Sequence, residues 1–254
     1  MIGSVLRNMT RWVLSMTMIK EFLMHELTGW RPWEVLWLLF SIAVIVALSL
    51  YWNDSLMGIV SAASGITYVV CAGKGKLSAY LFGIVNCVLY SIISFEATLY
   101  GETILNAGYY LPMMFVGFAV WRRNMDTATG EVTKRRMTWH GRTVGVAVIA
   151  VLTYLFGMVL AWLGDAMPFI DAFTTVASVV AMIATVKRYS EQWWIWFFVN
   201  IFSVYMWCCD FAAGSDNIAT LAMWIVYLMN AVIMLIRWER EANRRYAENA
   251  LTEA

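Results

Sequence analysis

Apolar runs of about 18 residues, each ended by a few charged or small residues, recur from Trp33 to Ile236. At 1.5 Å of rise per residue, a helix of that length matches the hydrocarbon thickness of a bilayer. Eight spans are predicted: Trp33 to Tyr51, Ser55 to Ala72, Ser78 to Phe95, Thr103 to Trp121, Thr143 to Leu163, Phe169 to Val186, Trp193 to Phe211 and Ile218 to Ile236. Most connections are very short, so consecutive spans should pair as antiparallel hairpins; Arg122 to Arg142 is the long exception. Ahead of them, Ile2, Val5, Leu6, Met9, Trp12, Val13, Met16 and Ile19 recur with helical period, with Arg7, Arg11 and Lys20 on the other side. Residues 1–32 therefore read as an amphipathic helix, on the membrane surface or packed across helix ends, and not as a signal peptide.

The pattern repeats. Shifted forward by 114 positions, Ser55 to Arg123 overlays Phe169 to Arg237 without gaps, with Lys74 on Arg188, Asn86 on Asn200, Glu96 on Asp210 and Arg123 on Arg237. Identity between the halves is near chance for apolar helices, so the polar landmarks carry the argument. A shift of four spans preserves orientation, which makes the two three-span units parallel. The expected divisions are an amphipathic segment 1–32, an extra span 33–54, a first repeat 55–123, a loop and linker helix 124–167, a second repeat 168–238 and a tail 239–254.

Charge orients this plan. With eight spans, all 18 Lys and Arg fall on the side of the termini and of the loops at 73–77, 122–142 and 187–192. The opposite loops carry Asp54, Glu96, Glu102, Asp165, Asp210 and Asp216, and neither Lys nor Arg. Positive residues mark the cytoplasm, so both termini are expected inside. The composition, 61% hydrophobic with 14 Trp and 12 Tyr, fits only a polytopic helical membrane protein. A net charge of +1, segregated by position, gives no footing for nucleic acid. Cys71, Cys87, Cys208 and Cys209 lack metal-ligand spacing, and His25 and His140 lie outside the spans, so neither metal nor cofactor is expected.

Candidate chemistry lies on a stripe. Trp193, Trp196, Asn200, Ser203 and Trp207 follow one another at three- or four-residue spacing, on one face of a helix. Indoles broken by an amide suit a flat, polar, aromatic solute better than lipid tails. Asn86 and Asn200 sit mid-span at equivalent places. An unpaired buried amide costs about 1–3 kcal/mol, so each must bond either another helix or a solute. Trp193 and Trp207 near span ends could equally be interfacial anchors, and Gln192 a solvated loop residue. Tyr90, Asn106, Trp224 and Tyr227 complete the candidate binding set, with Thr67, Tyr68, Tyr110, Thr175, Ser178 and Asn230 as further inward positions for which packing is the simpler role. No span holds Lys or Arg, which a phosphate would need, nor a central Asp or Glu, which a proton-coupled pump would need. No GxxxxGK[ST] occurs. These absences favour a facilitator for an uncharged or monocationic solute, since aromatic faces hold a delocalised cation without a carboxylate. A membrane enzyme, the alternative class, would have to use the outer acids Glu96, Glu102, Asp210 and Asp216, which are more simply loop charges.

Two stretches, YLFGIVNCVLYSIISFEATLYGE (Tyr80 to Glu102) and PFIDAFTTVASVVAMIATVKRYSEQWWIWFFVN (Pro168 to Asn200), resemble the PnuC nicotinamide riboside transporters. The likeness runs from about residue 33 to 238. It is most specific in F-G-x-x-N at Phe82 to Asn86 and E-x-W-x-x-W-x-x-x-N at Glu191 to Asn200. The resemblance implies a SWEET-like 3+1+3 fold with one extra N-terminal span, and solute contacts at Asn86, Trp193, Trp196 and Asn200. It also implies facilitated uptake of nicotinamide riboside across a bacterial inner membrane, followed by cytoplasmic phosphorylation. Homo-oligomers, with trimers as the form the resemblance suggests, surrounded by membrane lipid, belong to the same expectation. Relatives within this class carry thiamine or riboflavin, so another vitamin, or a sugar, is the nearest alternative cargo.

Overall fold

The computed structural model describes residues 20, 23–51, 55–96, 103–214 and 218–252. Most of the expected amphipathic segment lies outside the described residues, as do Asp54, Glu102 and Asp216. The helices are α1 (Pro32–Tyr51), α2 (Leu56–Lys74), α3 (Ser78–Glu96), a π-helical turn (Ile104–Tyr110) running into α4 (Leu111–Arg122), α5 (Trp139–Trp162), α6 (Pro168–Val186), α7 (Gln192–Ala212) and α8 (Ile218–Thr252). Two short antiparallel strands, β1 (Met125–Asp126) and β2 (Glu131–Val132), form a hairpin in the long loop. Among the described residues, α1, α2, α3, the unit Ile104–Arg122, α5 and α6 are long and apolar enough to cross a membrane.

Local chemistry sets the helix ends. Arg31 N donates to Glu34 Oε2 at 2.8 Å, the reach-back half of a capping box. Ser55 and Thr138 cap α2 and α5 by accepting from Gly58 N and Gly141 N. Helix α2 closes on Gly75 at φ +84°, with Lys76 N bonded to Cys71 O at 2.9 Å. That left-handed turn is cheap only for glycine. The matching turn after α6 puts Arg188 at φ +64°. Arg188 donates to Thr133 O at 3.0 Å, and its own carbonyl accepts from Arg135 N at 2.9 Å, which offsets a strain of about 1 kcal/mol. The predicted fourth span is not a uniform α-helix. Pro112 lacks an N–H and its ring would clash with the carbonyl one turn back, and the wider π turn just before it absorbs the conflict.

Packing follows the hairpins, with α2 on α3, α5 on α6, α6 on α7 and α7 on α8; α1 lies against α2 and α8. Helix α5 sits at the periphery, with only Gly157 buried. Crossings between the two halves are reciprocal, α8 on α2 and α4 on α6. At the end where the basic loops gather, Trp238 of α8 donates to Gly73 O of α2 at 2.7 Å, and Trp121 of α4 donates to Thr185 O of α6 at 3.0 Å. Each indole bonds a last-turn carbonyl, a group without an i+4 partner inside the helix, although Thr185 O also accepts from Arg188 N at 2.9 Å. Tyr80, Trp121, Trp193 and Trp238 form the core there, with ring centroids 5.0–6.1 Å apart along the chain Tyr80–Trp121–Trp238–Trp193.

Six charges close the same end. Lys74 Nζ lies 2.7 Å from Glu34 and 3.1 Å from Glu131. Lys134 pairs with Glu131 at 2.9 Å and with Glu241. Arg237 grips Glu131 at 2.8 Å, Glu241 at 2.9 Å, and Glu34. Lys76, fully buried, donates to the carbonyls of His25, Thr28 and Gly130 at 2.6–2.9 Å. Glu26 accepts from Leu77 N and Ser78 N, an anion at the start of α3.

Burial on its own would raise the Glu131 carboxyl, but Lys134, Arg237 and Lys74 outweigh it and hold the pKa at about 2. A depressed carboxylate contributes stability that is complete above its unfolded value and is lost as pH falls toward the folded one. The detergent-solubilised melting temperature should therefore carry the full Glu131 contribution, with no pH dependence from it, between pH 6 and 8, and fall between roughly pH 4.5 and 2. Glu131→Gln should cost about 3 kcal/mol at pH 7, because three cations lose a partner. Equal melting of Glu131→Gln and the unaltered chain at pH 7 would contradict this account.

Candidate functional site

The polar residues of the spans converge between the two halves. On α3, Asn86 turns inward: its Nδ2 donates to Ser61 O at 2.8 Å and lies 3.3 Å from Ser61 Oγ. Gly65 of α2 faces the same spot, where an added Cβ would lie 2.9 Å from Asn86 Nδ2 and 3.2 Å from Tyr227 Oη. Asn86 and Tyr227, from α3 and α8, thus both approach the space that the missing side chain of Gly65 leaves on α2. Tyr227 stands edge-on to Trp224, with centroids 5.7 Å apart and planes at 87°.

A second group lies nearer the charged end. Trp196 Nε1 donates to Thr185 Oγ1 at 3.3 Å. Thr185 is buried, and its carbonyl already holds Trp121. Tyr68 Oη reaches Met182 Sδ at 3.7 Å, and Tyr109 Oη donates to Val179 O at 2.7 Å, so phenols of the first half rest on α6 of the second. Gln192 is 1% exposed and Trp193 3% exposed, yet Gln192 Nε2 and Trp193 Nε1 have no hydrogen-bond partner. Orphan donors in a buried place are unusual and call for an explanation.

The predicted set fares unevenly. Gln192, Trp193, Asn200 and Asn106 are buried, Asn106 on the π turn, and Asn86 is half-buried. Trp196, Trp207, Trp224 and Tyr227 are half-buried, and Tyr90 is 37% exposed at the surface of α3. The interfacial reading of Trp193 is corrected: it packs on Trp238 in the core, while its neighbour Trp194 is the exposed indole at 47%. Gln192 is likewise no solvated loop residue but the buried first residue of α7. Asn230 is used between helices, accepting from Trp37 Nε1 at 3.2 Å and donating to Val69 O at 3.5 Å. Sequence reasoning passed over Ser61, Gly65, Tyr109 and Thr185. A mid-span glycine facing an asparagine was the one available signal for Gly65.

Electrostatically the region is bare. Six cations at its charged end have partners: Lys74, Lys134 and Arg237 in the carboxylate network, Arg142 on Glu191 at 2.6 Å, Lys76 on three carbonyls, and Arg188 on the carbonyl and hydroxyl of Thr133, while Arg122, Arg123 and Lys187 are exposed. Burial lowers the Lys76 pKa, with Glu131 and Glu26 opposing. Among the described residues, no group of three or more His, Cys, Asp or Glu is placed to hold a metal.

Apolar helices around a neutral, amide- and ring-lined interior define a multi-pass membrane protein of the transporter class. Residues 55–240 match the family described as nicotinamide mononucleotide transporter. The chain is 38% identical over 221 residues to the nicotinamide riboside transporter PnuC of Neisseria mucosa, covering 85% of this chain and 84% of that one. It is 32% identical over 232 residues to the Haemophilus influenzae nicotinamide riboside transporter PnuC, covering 90% and 99%. A crystal structure of the vitamin B3 transporter PnuC superposes with a TM-score of 0.75 at 37% identity, over 88% of this chain and 97% of that one. The chain belongs to the PnuC family of transporters, and it is not an enzyme.

The Thr185 contact can be tested directly. Thr185→Val removes Oγ1 and leaves Trp196 Nε1 without its acceptor, while the carbonyl holding Trp121 remains. An expected loss of about 1 kcal/mol in detergent unfolding, with a shifted indole emission, should be largely restored in Thr185→Ser. Identical emission and stability in Thr185→Val would remove this contact from the site.

Proposed function

We propose that the chain carries nicotinamide riboside into the bacterial cytoplasm by facilitated diffusion. The observation that carries the reading is the neutral interior beside cations that are already engaged. A pyridinium ring can lie against Trp196 and the Tyr227–Trp224 pair. Its carboxamide and ribose can bond Asn86, Asn200 and the orphan donors of Gln192 and Trp193. The phosphorylated mononucleotide in the family's description would meet no unpaired cation among these residues, which favours the riboside named for the relatives. Phosphorylation by a cytoplasmic kinase would then trap the cargo.

The architecture we propose has eight membrane spans in a SWEET-like 3+1+3 plan plus α1, with both termini cytoplasmic. The reciprocal bonds Trp238–Gly73 and Trp121–Thr185 support two parallel halves related by a pseudo-two-fold axis. So does the contact of Tyr68 with Met182, which are 114 positions apart and so superposed by the repeat shift. At the turns the register slips by one residue, since the left-handed positions are Gly75 and Arg188. Transport in this scheme is a rocking of one half against the other around solute held near the midplane. Association of copies within the lipid, three by the family resemblance, belongs to the same proposal.

In liposomes, the purified protein should equilibrate labelled riboside without any ion gradient and leave the mononucleotide outside. Trp196→Ala and Asn200→Ala should each weaken riboside binding on the order of tenfold, about 1.4 kcal/mol, while Glu248→Ala at the far end of α8 should not. Accumulation against a gradient driven by sodium or protons would refute the facilitator part. Stronger binding of thiamine, riboflavin or glucose would reassign the cargo.

A further inference from the structure

We infer that Ser61 and Gly65 commit Asn86 to presenting its carbonyl oxygen to the solute, so that the site selects a primary amide over a carboxylate or a ketone. This rests on the riboside reading above and adds the chemical basis of its selectivity.

A main-chain carbonyl only accepts, so the atom of Asn86 that lies 2.8 Å from Ser61 O must be the nitrogen. The reversed amide would set oxygen against oxygen. The second hydrogen of Nδ2 is directed to Ser61 Oγ at 3.3 Å, and both donors are then used on α2. No hydrogen bond described for Asn86 engages Oδ1. A side chain that looks ambivalent in sequence is therefore an acceptor in the fold. Gly65 makes this possible: an alanine Cβ would stand 2.9 Å from Nδ2, closer than such contacts allow, and 3.3 Å from Cγ and 3.2 Å from Tyr227 Oη, both tight, so the amide would have to shift. The other half lacks the device, since Val179 falls on Gly65 and Thr175 on Ser61 under the 114-residue shift.

An acceptor held in a low-dielectric interior prefers a donor. The carboxamide N–H of the riboside supplies one. Its carboxylate analogue brings a negative charge against Oδ1, and its methyl-ketone analogue, of nearly the same shape, brings no donor at all. A site built around a substrate N–H discriminates strongly against analogues lacking it, because its own polar atom is left unpaired. Ser61 and Gly65 act through Asn86 and are positioning residues.

The test is calorimetric titration of the full chain in lipid nanodiscs with the riboside and these two analogues. The unaltered protein should prefer the riboside over each analogue by on the order of tenfold or more. Gly65→Ala should bring that ratio to about twofold, Asn86→Ala should abolish it, and Gly65→Ala should add nothing in the Asn86→Ala background. General loosening of the bundle would weaken all three ligands alike and leave the ratio unchanged. If the riboside binds but the ratio is near one in the unaltered protein, or survives Gly65→Ala, the inference is overturned while riboside transport stands. If none of the three binds, the transport reading falls and takes the inference with it. Should Gly65→Ala not fold, the ratio in the unaltered protein and in Asn86→Ala decides the matter.

Discussion

Three carboxylates, Glu34, Glu131 and Glu241, face three cations, Lys74, Lys134 and Arg237, in one connected cluster. Between apolar helices in lipid there is little hydrophobic drive to hold a register, so polar contacts and close packing must do it. The cluster ties α1, the end of α2, the hairpin of the long loop and α8 at one level. Its balance matters as much as its strength. An uncompensated cation about 8 Å from a cationic solute would oppose it by about 2 kcal/mol at an effective dielectric constant near 20. In the proposed scheme, pairing three of them lets the charged end keep its basic residues without repelling a pyridinium.

The loop between the halves does a related job. Val132 N donates to Gly75 O at 2.8 Å, Arg135 N to Arg188 O at 2.9 Å, and Ser190 N to Arg135 O at 2.9 Å. One segment is thereby stitched to the turns of both helical hairpins. Glu191 adds Met137 N at 3.0 Å and Arg142, directly before the buried Gln192 and Trp193. Any rocking of the halves has to pivot at these bonds or break them. The two orphan donors stand next to the stitching, where a shift of the turn would move them together.

The all-helical membrane class was legible because lipid demands long apolar runs, and such runs need no tertiary context to be seen; six of the eight predicted spans are, among the described residues, helices long and apolar enough to cross. Parallel halves are proposed from Lys74 and Arg188 at two helix ends and from Asn86 and Asn200 within two apolar helices. What stayed hidden were contacts set by distance in space. Glu34 and Glu131 read as ordinary end and loop charges, because nothing local says that Arg237, some 200 or 100 residues on, returns to meet them. Trp193 read as an interfacial anchor because its position in the span is all that sequence gives, whereas its burial depends on Trp238. Asn86 was found, but not which end of its amide is spent, since that is decided by a carbonyl 25 residues away.

The two halves share a plan and differ where chemistry is done. The first has Gly65 opposite its asparagine, a π turn ahead of Pro112 and Tyr109 resting on the partner half. The second has Val179, a regular α8, and the indoles of α7. A symmetric pair of sites would suit a symmetric cargo or two copies of one. A solute with a flat cationic ring at one end and a polyhydroxyl sugar at the other needs unlike surfaces facing each other. In the proposed scheme, duplicated scaffolding supplies two bodies that can move against one another. On that scheme, the divergence of a few residues at their interface would let one unsymmetrical molecule fit between them in a single orientation.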